Sequence, residues 1–300
     1  MIDVLKYRHY TAIVSLSIFI SFIGYYFYQK QTRGYAFSYS VDFEGGTQIR
    51  FKFDKPVNTA NIRTILEHHG WAGATTRQFS PEEILVRVKD VSADAKSLAN
   101  RIGKALTDSI PGVSVEILET ELIRPAAVEA LRFKALWAAG LALILMSLYI
   151  ALRFWSFAFA MGAIVSLFHD AVVVLAFFLF LDREISSSLI AAVITLLGYS
   201  INDTIVIFAR IRESLAENAR LKRVVPLTEI VTLSINKTLR RTILMSAATT
   251  LTVIAMFLGG ESLRDLSLAL LVGIIFGTYS SIYIASPVMM LFHKDEGQPS

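Results

Sequence analysis

Residues 185–208, ISSSLIAAVITLLGYSINDTIVIF, decide the class of fold. This run is apolar over a length that can cross the hydrocarbon core of a bilayer, which takes about 20 residues in a helix. Its one charged residue is Asp203. Five more blocks share this character: 10–28, 134–152, 157–181, 242–258 and 266–292. The sequence therefore predicts a polytopic α-helical membrane protein with six spans.

The overall composition agrees with a membrane protein. Apolar residues make up 54% and charged residues 18% of the chain, where soluble domains average about 25% charged. The chain has no cysteine, which excludes disulfides and thiolate metal sites. Lys6 and Arg8 precede the first block, and no small-residue cleavage site follows it, so this block predicts an uncleaved anchor.

Basic residues set the expected orientation. Eight of them lie in the connection 209–241: Arg210, Arg212, Arg220, Lys222, Arg223, Lys237, Arg240 and Arg241. The positive-inside rule places this connection and both termini in the cytoplasm. We expect a cytoplasmic end and first span over 1–33, a periplasmic domain over 34–130, a five-helix bundle over 131–292 and a cytoplasmic tail over 293–300, in a bacterial inner membrane.

The domain 34–130 changes to a period of two in its polar and apolar residues. The pattern predicts strands at 47–53, 74–79, 83–89 and 113–119, helices at 57–69 and 93–108, and an extra edge strand near 36–42. This βαββαβ order is typical of ferredoxin-like α+β domains. RNA-binding modules share the order, but residues 34–122 hold ten basic against twelve acidic residues, so we expect no nucleic-acid partner.

The connection 209–241 also has apolar residues at helical spacing, on both sides of Pro226. We expect two short amphipathic helices lying at the membrane surface. Either a solvated, charge-anchored hairpin or a partner-binding element fits this pattern.

Ionisable residues within spans cost about 2.5–3.5 kcal/mol each and need a reason. Asp170 lies in the third span, after His169, and we expect these neighbours to point about 100° apart and not to share a small site. Asp203 and Arg241 should lie at similar depth on antiparallel spans. A carboxyl group with a movable counter-charge can exchange a proton, whereas a static ion pair or a snorkelling Arg241 is the structural alternative.

Uncharged residues within the spans are candidates for support and packing. Four polar groups could carry water or hydrogen bonds near the carboxylates: Ser200, Asn202, Thr249 and Thr250. Small residues recur at every fourth position of the sixth span, at Ala269, Gly273, Gly277, Ser281 and Ala285. This stripe predicts close helix packing, against a helix of this chain or of another subunit.

Four motifs resemble the SecF family of protein-export membrane proteins. Residues 41–47 (VDFEGGT), with Asp42, Gly45 and Gly46, resemble the segment that opens its periplasmic domain. Residues 198–213 (GYSINDTIVIFARIRE) resemble its fourth-span signature, which is the most specific of the four. Residues 241–251 (RTILMSAATTL) and 277–287 (GTYSSIYIASP) are similar to its fifth-span and final-span motifs.

The resemblance implies an RND-superfamily half that pairs with SecD and acts on the SecYEG translocon. It implies a proton-driven accessory role, without enzyme activity, cofactor or metal, that draws unfolded preprotein through on the periplasmic side. It implies proton-pathway roles for Asp203, Arg241 and Asp170, and YajC and YidC as further partners. Two alternatives remain open: half of a small-molecule efflux pump, and a non-conducting scaffold for translocon assembly.

Overall fold

The computed structural model describes residues 4–90, 94–259 and 263–293, so of the expected tail 293–300 only His293 lies within the described residues. The chain divides into two compact units, Tyr39–Ala135 and the rest. In chain order the helices and strands are α1 (Arg8–Arg33), α2 (Val41–Glu44), β1 (Gly46–Phe53), α3 (Thr59–His68), β2 (Thr75–Gln78), β3 (Glu83–Val88), α4 (Ala95–Ser109), β4 (Val115–Ile123), α5 (Pro125–Phe154), α6 (Phe157–Phe180), α7 (Ser187–Arg220), α8 (Leu227–Gly259), α9 (Arg264–Ser280) and α10 (Ser286–Phe292).

Six helices within the described residues are long and apolar enough to cross a membrane, which confirms the predicted number. They are α1, α5, α6, α7, α8 and the continuous run from α9 through a π-helical turn, Ser281–Ala285, into α10. The central helices α6, α7 and α9 bury much of their surface, while α1, α5 and α8 expose most of theirs. Large apolar side chains on these outer helices need a lipid or protein cover.

The unit Tyr39–Ala135 contains a four-stranded sheet in the order β2-β3-β1-β4, antiparallel throughout. Alternate residues of β1, namely Ile49, Phe51 and Phe53, are fully buried against residues of α3 and α4. The polar residues between them stay on the other face, because side chains alternate across a strand. This alternation is the pattern that the sequence showed over 47–53.

The prediction of an extra edge strand near 36–42 is wrong. Residues Val41–Glu44 form the short helix α2 instead, and both Val41 and Phe43 are buried. Gly45 and Gly46 follow with φ of 76° and 115°, values that only glycine adopts without strain. The alternating apolar residues before the glycines thus lie on one turn of helix, and the two glycines turn the chain into β1.

The prediction of two short surface helices over 209–241 is also wrong. Helix α7 runs without interruption to Arg220, and α8 begins at Leu227. Neither segment contains a glycine or proline that would end the helix where the apolar block ends, so both spans continue beyond it. At 34 residues, α7 is about 50 Å long, well above the thickness of the hydrocarbon core. Its excess length forms a helical hairpin with α8.

Candidate functional site

One face of α7 carries buried polar side chains through the middle of the helical unit. Ser200, Asp203 and Thr204 lie at positions i, i+3 and i+4, so they share this face. All three are buried, and Asp203 is only 3% exposed. Asp203 is therefore removed from water, and its surroundings decide whether its carboxyl group can be charged.

Asp170 on α6 has a complete set of hydrogen-bonding neighbours. The Ser200 hydroxyl donates to Asp170 Oδ2 at 2.5 Å, and His169 Nδ1 lies 3.3 Å from Asp170 Oδ1. The Ser280 hydroxyl of α9 also interacts with this carboxyl group. Ser166 donates to Ser280 Oγ at 2.9 Å, so three helices meet at one polar cluster.

The contact of His169 with Asp170 overturns the expectation that the two cannot share a small site. Their Cα–Cβ bonds diverge, but both side chains bend towards the same point and both are buried. The choice of side-chain rotamer can close the gap that the helical angle opens between neighbours. The imidazole stacks on Phe19 of α1, with ring centroids 5.8 Å apart, and Tyr279 of α9 lies 6.1 Å away.

Asp203 lies against α8 and α9, in a less satisfied environment. The hydroxyls of Thr278 and Ser246 interact with its carboxyl group. Among the described residues, however, no hydrogen-bond partner satisfies the buried Oδ2. Ser246 is bonded to its neighbours, since its Oγ lies 2.7 Å from Thr278 Oγ1 and accepts from Tyr199 Oη at 3.3 Å. A buried carboxylate oxygen without a donor disfavours the charged form.

Arg241 on α8 is the cation that acts on Asp203. The two side chains attract each other electrostatically, yet they form no direct ion pair in the described structure. Arg241 is exposed, whereas Asp203 is buried. The predicted pair therefore interacts electrostatically but forms no ion pair among the described residues.

Of the four predicted supporting groups, Ser200 contacts a carboxyl group, whereas the described contacts of Asn202, Thr249 and Thr250 include neither carboxyl group. Ser200 belongs to the Asp170 cluster, but Asn202 is exposed on another face of α7. Thr249 donates to the Met245 carbonyl of its own helix at 3.0 Å, as hydroxyls in spans commonly do. Thr250 is half-buried on α8, with no contact to either carboxyl group among those described.

The stripe of small residues in the last span packs against α7. A Cβ atom added at Gly273 would collide with Leu196, and one added at Gly277 would lie 3.1 Å from Ser200 Cβ. Ser281 Oγ lies 2.8 Å from Thr204 Oγ1. The partner helix, left open by the sequence, is thus a helix of the same chain. Close approach lets hydroxyls of α9 reach α6 and α7.

A π-helical turn follows directly on this hydroxyl-bearing face. It covers Ser281–Ala285, and Pro287 near the start of α10 lacks the N–H that a regular helix needs there. The Ser286 hydroxyl donates to the Ser281 carbonyl at 3.4 Å. Single π turns inside α-helices are common at functional sites.

Sequence reasoning missed Ser246, Thr278, Ser280 and Ser166, which contact the two carboxyl groups directly or through one another. Thr278 and Ser280 lie between Gly277 and Ser281 of the stripe of small residues, which we interpreted as packing alone. Hydroxyl residues interspersed in that stripe were the available signal.

The Gly45–Gly46 motif organises the start of the sheet. A Cβ atom on Gly46 would lie 2.6 Å from the Val88 carbonyl oxygen of the adjacent strand. Thr47 donates to the Asp90 carbonyl at 2.7 Å, and Arg132 donates to the Phe43 carbonyl. Asp42 lies on α2, one residue before Phe43, and its charge acts on Glu121 of β4. The motif fixes backbone geometry here.

No group of three metal-ligating side chains occurs within residues 4–90, 94–259 and 263–293. The polar clusters consist of hydroxyls, two carboxyl groups, one imidazole and one guanidinium. Such groups can hold and pass protons, with hydroxyls serving as both donors and acceptors.

Protein-family comparisons match most of the chain. Residues 102–295 match the family described as "Protein export membrane protein SecD/SecF, C-terminal", and residues 36–57 match the "SecD/SecF GG Motif" family. The chain is 39% identical over 257 residues to the protein translocase subunit SecF of Thermodesulfovibrio yellowstonii, covering 85% of this chain and 83% of that one. It is 40% identical over 258 residues to SecF of Vibrio alginolyticus, covering 84% and 79%.

A solved structure shows the same architecture. The crystal structure of SecDF from Thermus thermophilus, described as a translocon-associated membrane protein, superposes with a TM-score of 0.83 at 35% identity. The match covers 95% of this chain but 38% of the SecDF chain. A super-membrane-facing form of SecDF superposes with a TM-score of 0.61 at 31% identity, over the same shares.

Proposed function

Because the chain belongs to the SecD/SecF family of protein export membrane proteins, we propose that it is the SecF half of a proton-driven motor. With SecD in the bacterial inner membrane, it promotes preprotein translocation by the Sec translocon and release on the periplasmic side. It supplies motion and carries out no enzymatic step. The observation that carries the proposal is the buried Asp203 carboxyl group, whose Oδ2 has no donor among the described residues and on which Arg241 acts electrostatically.

The proposed proton step uses the competition between burial and charge at Asp203. Burial favours the neutral acid, and an approaching guanidinium favours the carboxylate. When Arg241 moves towards Asp203, the acid releases its proton. When Arg241 withdraws, the carboxylate takes up a proton from the other side. The exposed position of Arg241, which forms no ion pair with Asp203 among the described residues, supports such a movement.

The membrane potential can drive this cycle. A proton crossing 100 mV releases about 2.3 kcal/mol. This energy biases a two-state equilibrium by nearly fiftyfold, provided that the two states differ in proton affinity. Domain motion outside the membrane can then follow the protonation state.

Asp170 is the second group of the proposed pathway. Ser200, Ser280 and His169 surround its carboxyl group, and hydroxyls of this kind can rotate to pass a proton. Its complete hydrogen bonding distinguishes it from Asp203 and also fits a purely structural role. Asp170→Asn keeps the size of the side chain but cannot titrate. Lost proton flux in this variant, with the complex assembled normally, would favour the pathway role over the structural one.

The unit Tyr39–Ala135 is proposed to be the periplasmic, ferredoxin-like domain that acts on the preprotein. The strand order β2-β3-β1-β4 and the order of helices and strands support the ferredoxin-like assignment. The excess of basic residues at the α7–α8 hairpin supports a cytoplasmic hairpin and a periplasmic sheet domain.

The decisive experiment replaces Asp203 by Asn in the complex with SecD and measures proton flux and preprotein export in vesicles. We expect flux and proton-stimulated export to be lost, while the complex assembles normally. Asp182→Asn is the matched control, since this exposed carboxylate pairs with Arg33 at 3.1 Å, and such surface pairs contribute little.

Normal flux and export in Asp203→Asn would refute the motor and leave an assembly scaffold. Drug accumulation with intact export in a deletion strain would instead identify an efflux transporter.

A further inference from the structure

We propose that Arg153 and Arg212 form a binding site for the phosphate of an anionic phospholipid. The two residues lie at the turn between α5 and α6 and on the neighbouring part of α7. The site is distinct from the two carboxylate clusters, and it does not depend on the proposed motor function.

The two guanidinium groups converge on one aromatic ring. Arg153 Cζ lies 5.6 Å and Arg212 Cζ lies 5.3 Å from the centroid of the Phe154 ring. Arg212 also donates from Nη1 to the Arg153 carbonyl at 3.1 Å, which holds the two residues together. Two positive charges beside one ring repel each other, and a bound anion relieves that repulsion.

No carboxylate among the described residues pairs with either guanidinium. The acid next to Arg212 is occupied elsewhere, because Glu213 accepts from Arg210 at 2.6 Å. The guanidinium groups of Arg153 and Arg212 therefore share the Phe154 ring, and no carboxylate among the described residues balances their charge. Arginine pairs bind phosphate well, since their planar forks present several N–H donors at once.

The Phe154 ring is held in place by its packing before any ligand binds. Phe154 is buried and stacks on Phe159, with ring centroids 5.3 Å apart and an interplanar angle of 6°. Phe208 of α7 meets both rings edge-on, at 5.9 and 5.0 Å. A site held by packed rings needs little reorganisation on binding.

Apolar side chains around the site select a lipid over a free anion. Directly after Arg153 and Phe154, Trp155 is 86% exposed and Phe157 is 68% exposed. Trp155 has φ of 49°, a left-handed conformation that is uncommon for a bulky residue and is found at functional positions. A phospholipid can place its headgroup on the arginines and its acyl chains against these rings, at the end of the spans.

The test measures which lipid lies beside Trp155. In the full chain, Trp71→Phe and Trp137→Phe leave Trp155 as the single tryptophan. The protein is reconstituted in phosphatidylcholine vesicles with equal fractions of brominated phosphatidylglycerol or brominated phosphatidylcholine, and fluorescence quenching is compared. We expect a preference for phosphatidylglycerol of roughly fivefold for each guanidinium that contacts the phosphate.

Arg153→Gln with Arg212→Gln should reduce this preference to parity, while Arg153→Lys with Arg212→Lys should keep part of it. Arg220→Gln with Arg223→Gln removes the same charge from the far end of the hairpin and should leave the preference intact. Equal quenching by both lipids before any arginine change, or equal loss in the hairpin control, would overturn the proposal. So would complete displacement by inorganic phosphate at matched ionic strength, which would indicate a site for a free anion.

Discussion

Gly277 of α9 and Ser200 of α7 are in such close contact that a Cβ atom on Gly277 would lie 3.1 Å from Ser200 Cβ and 3.2 Å from its Oγ. The same Ser200 hydroxyl donates to Asp170 at 2.5 Å. The missing side chain at position 277 therefore positions the donor that satisfies a carboxyl group on a third helix.

Gly277→Ala should weaken the packing of α9 on α7 and displace the Ser200 hydroxyl from Asp170. Crowding in a close-packed interior typically costs about 1–3 kcal/mol. We expect a lower midpoint of thermal unfolding in detergent, together with weaker proton flux. Gly140→Ala is the control, because nothing lies within 4 Å of a Cβ atom there and alanine favours the helix. An unchanged midpoint in Gly277→Ala would contradict the packing account.

Ser200→Ala should leave a buried oxygen of Asp170 without its donor. Such a loss costs about 1–3 kcal/mol. In the Asp170→Asn background the same substitution should cost less, and this difference is the coupling energy from a double-mutant cycle of unfolding. Ser147→Ala is the control, because that hydroxyl donates only to the Leu143 carbonyl of its own helix at 2.7 Å. Additive costs at positions 170 and 200 would show that the hydrogen bond does not contribute.

Gly46→Ala should disrupt the pairing of β1 with β3. Its φ of 115° and the Val88 carbonyl, 2.6 Å from an added Cβ atom, both oppose a side chain. We expect faster hydrogen exchange of the β1 and β3 amides in the full chain, by tenfold or more, since about 1.4 kcal/mol gives that factor. Gly73→Ala controls for positive φ alone, because nothing lies within 4 Å at that position. Similar exchange in the two variants would rule out the clash with Val88.

Glu121 on β4 should make the sheet domain less stable as the pH rises. Partial desolvation and the charges of Asp42 and Glu119 raise the pKa of Glu121, while Arg87 opposes them. Because the folded state holds this proton more tightly than the unfolded state, the stabilisation is present below the ordinary carboxyl pKa. It is lost as the pH rises through the raised folded value.

Hydrogen exchange of β1 and β4 amides, followed from pH 4 to pH 8, measures this effect after correction for intrinsic exchange rates. Glu121→Gln should remove the part of the pH dependence that Glu121 contributes and stabilise the sheet at neutral pH. Glu116→Gln removes one charge from the same strand and serves as the control. If Glu121→Gln left the stability profile unchanged, electrostatic repulsion at this position would be refuted.

Helix ends show the limit of hydropathy as a guide. The apolar block 185–208 locates the span, but α7 ends at Arg220, because helix geometry continues until a residue interrupts it. Polar residues beyond the block looked like surface helices, since their amphipathic period does not tell a continued helix from a separate one. Tertiary packing resolves this, with Ser234 of α8 donating to Ser214 of α7 at 3.2 Å across the hairpin.

Neighbouring side chains are equally hard to place from sequence. His169 and Asp170 diverge at Cβ and still meet, because rotamer choice within a packed cluster outweighs the helical angle. Asp203 and Arg241 could be paired from antiparallel connectivity. The partners Ser246 and Thr278 depend on how α8 and α9 pack against α7.

The sequence by itself determined the six spans, the family and the carboxyl groups within the membrane, because transfer free energies and motif identities are properties of local segments. Only the tertiary structure decided which hydroxyls surround Asp170 and that, in the part of the chain described, no donor reaches Asp203 Oδ2. Those contacts depend on how closely the helices approach. A side chain at Gly273 would collide with Leu196, and one at Gly277 would crowd Ser200.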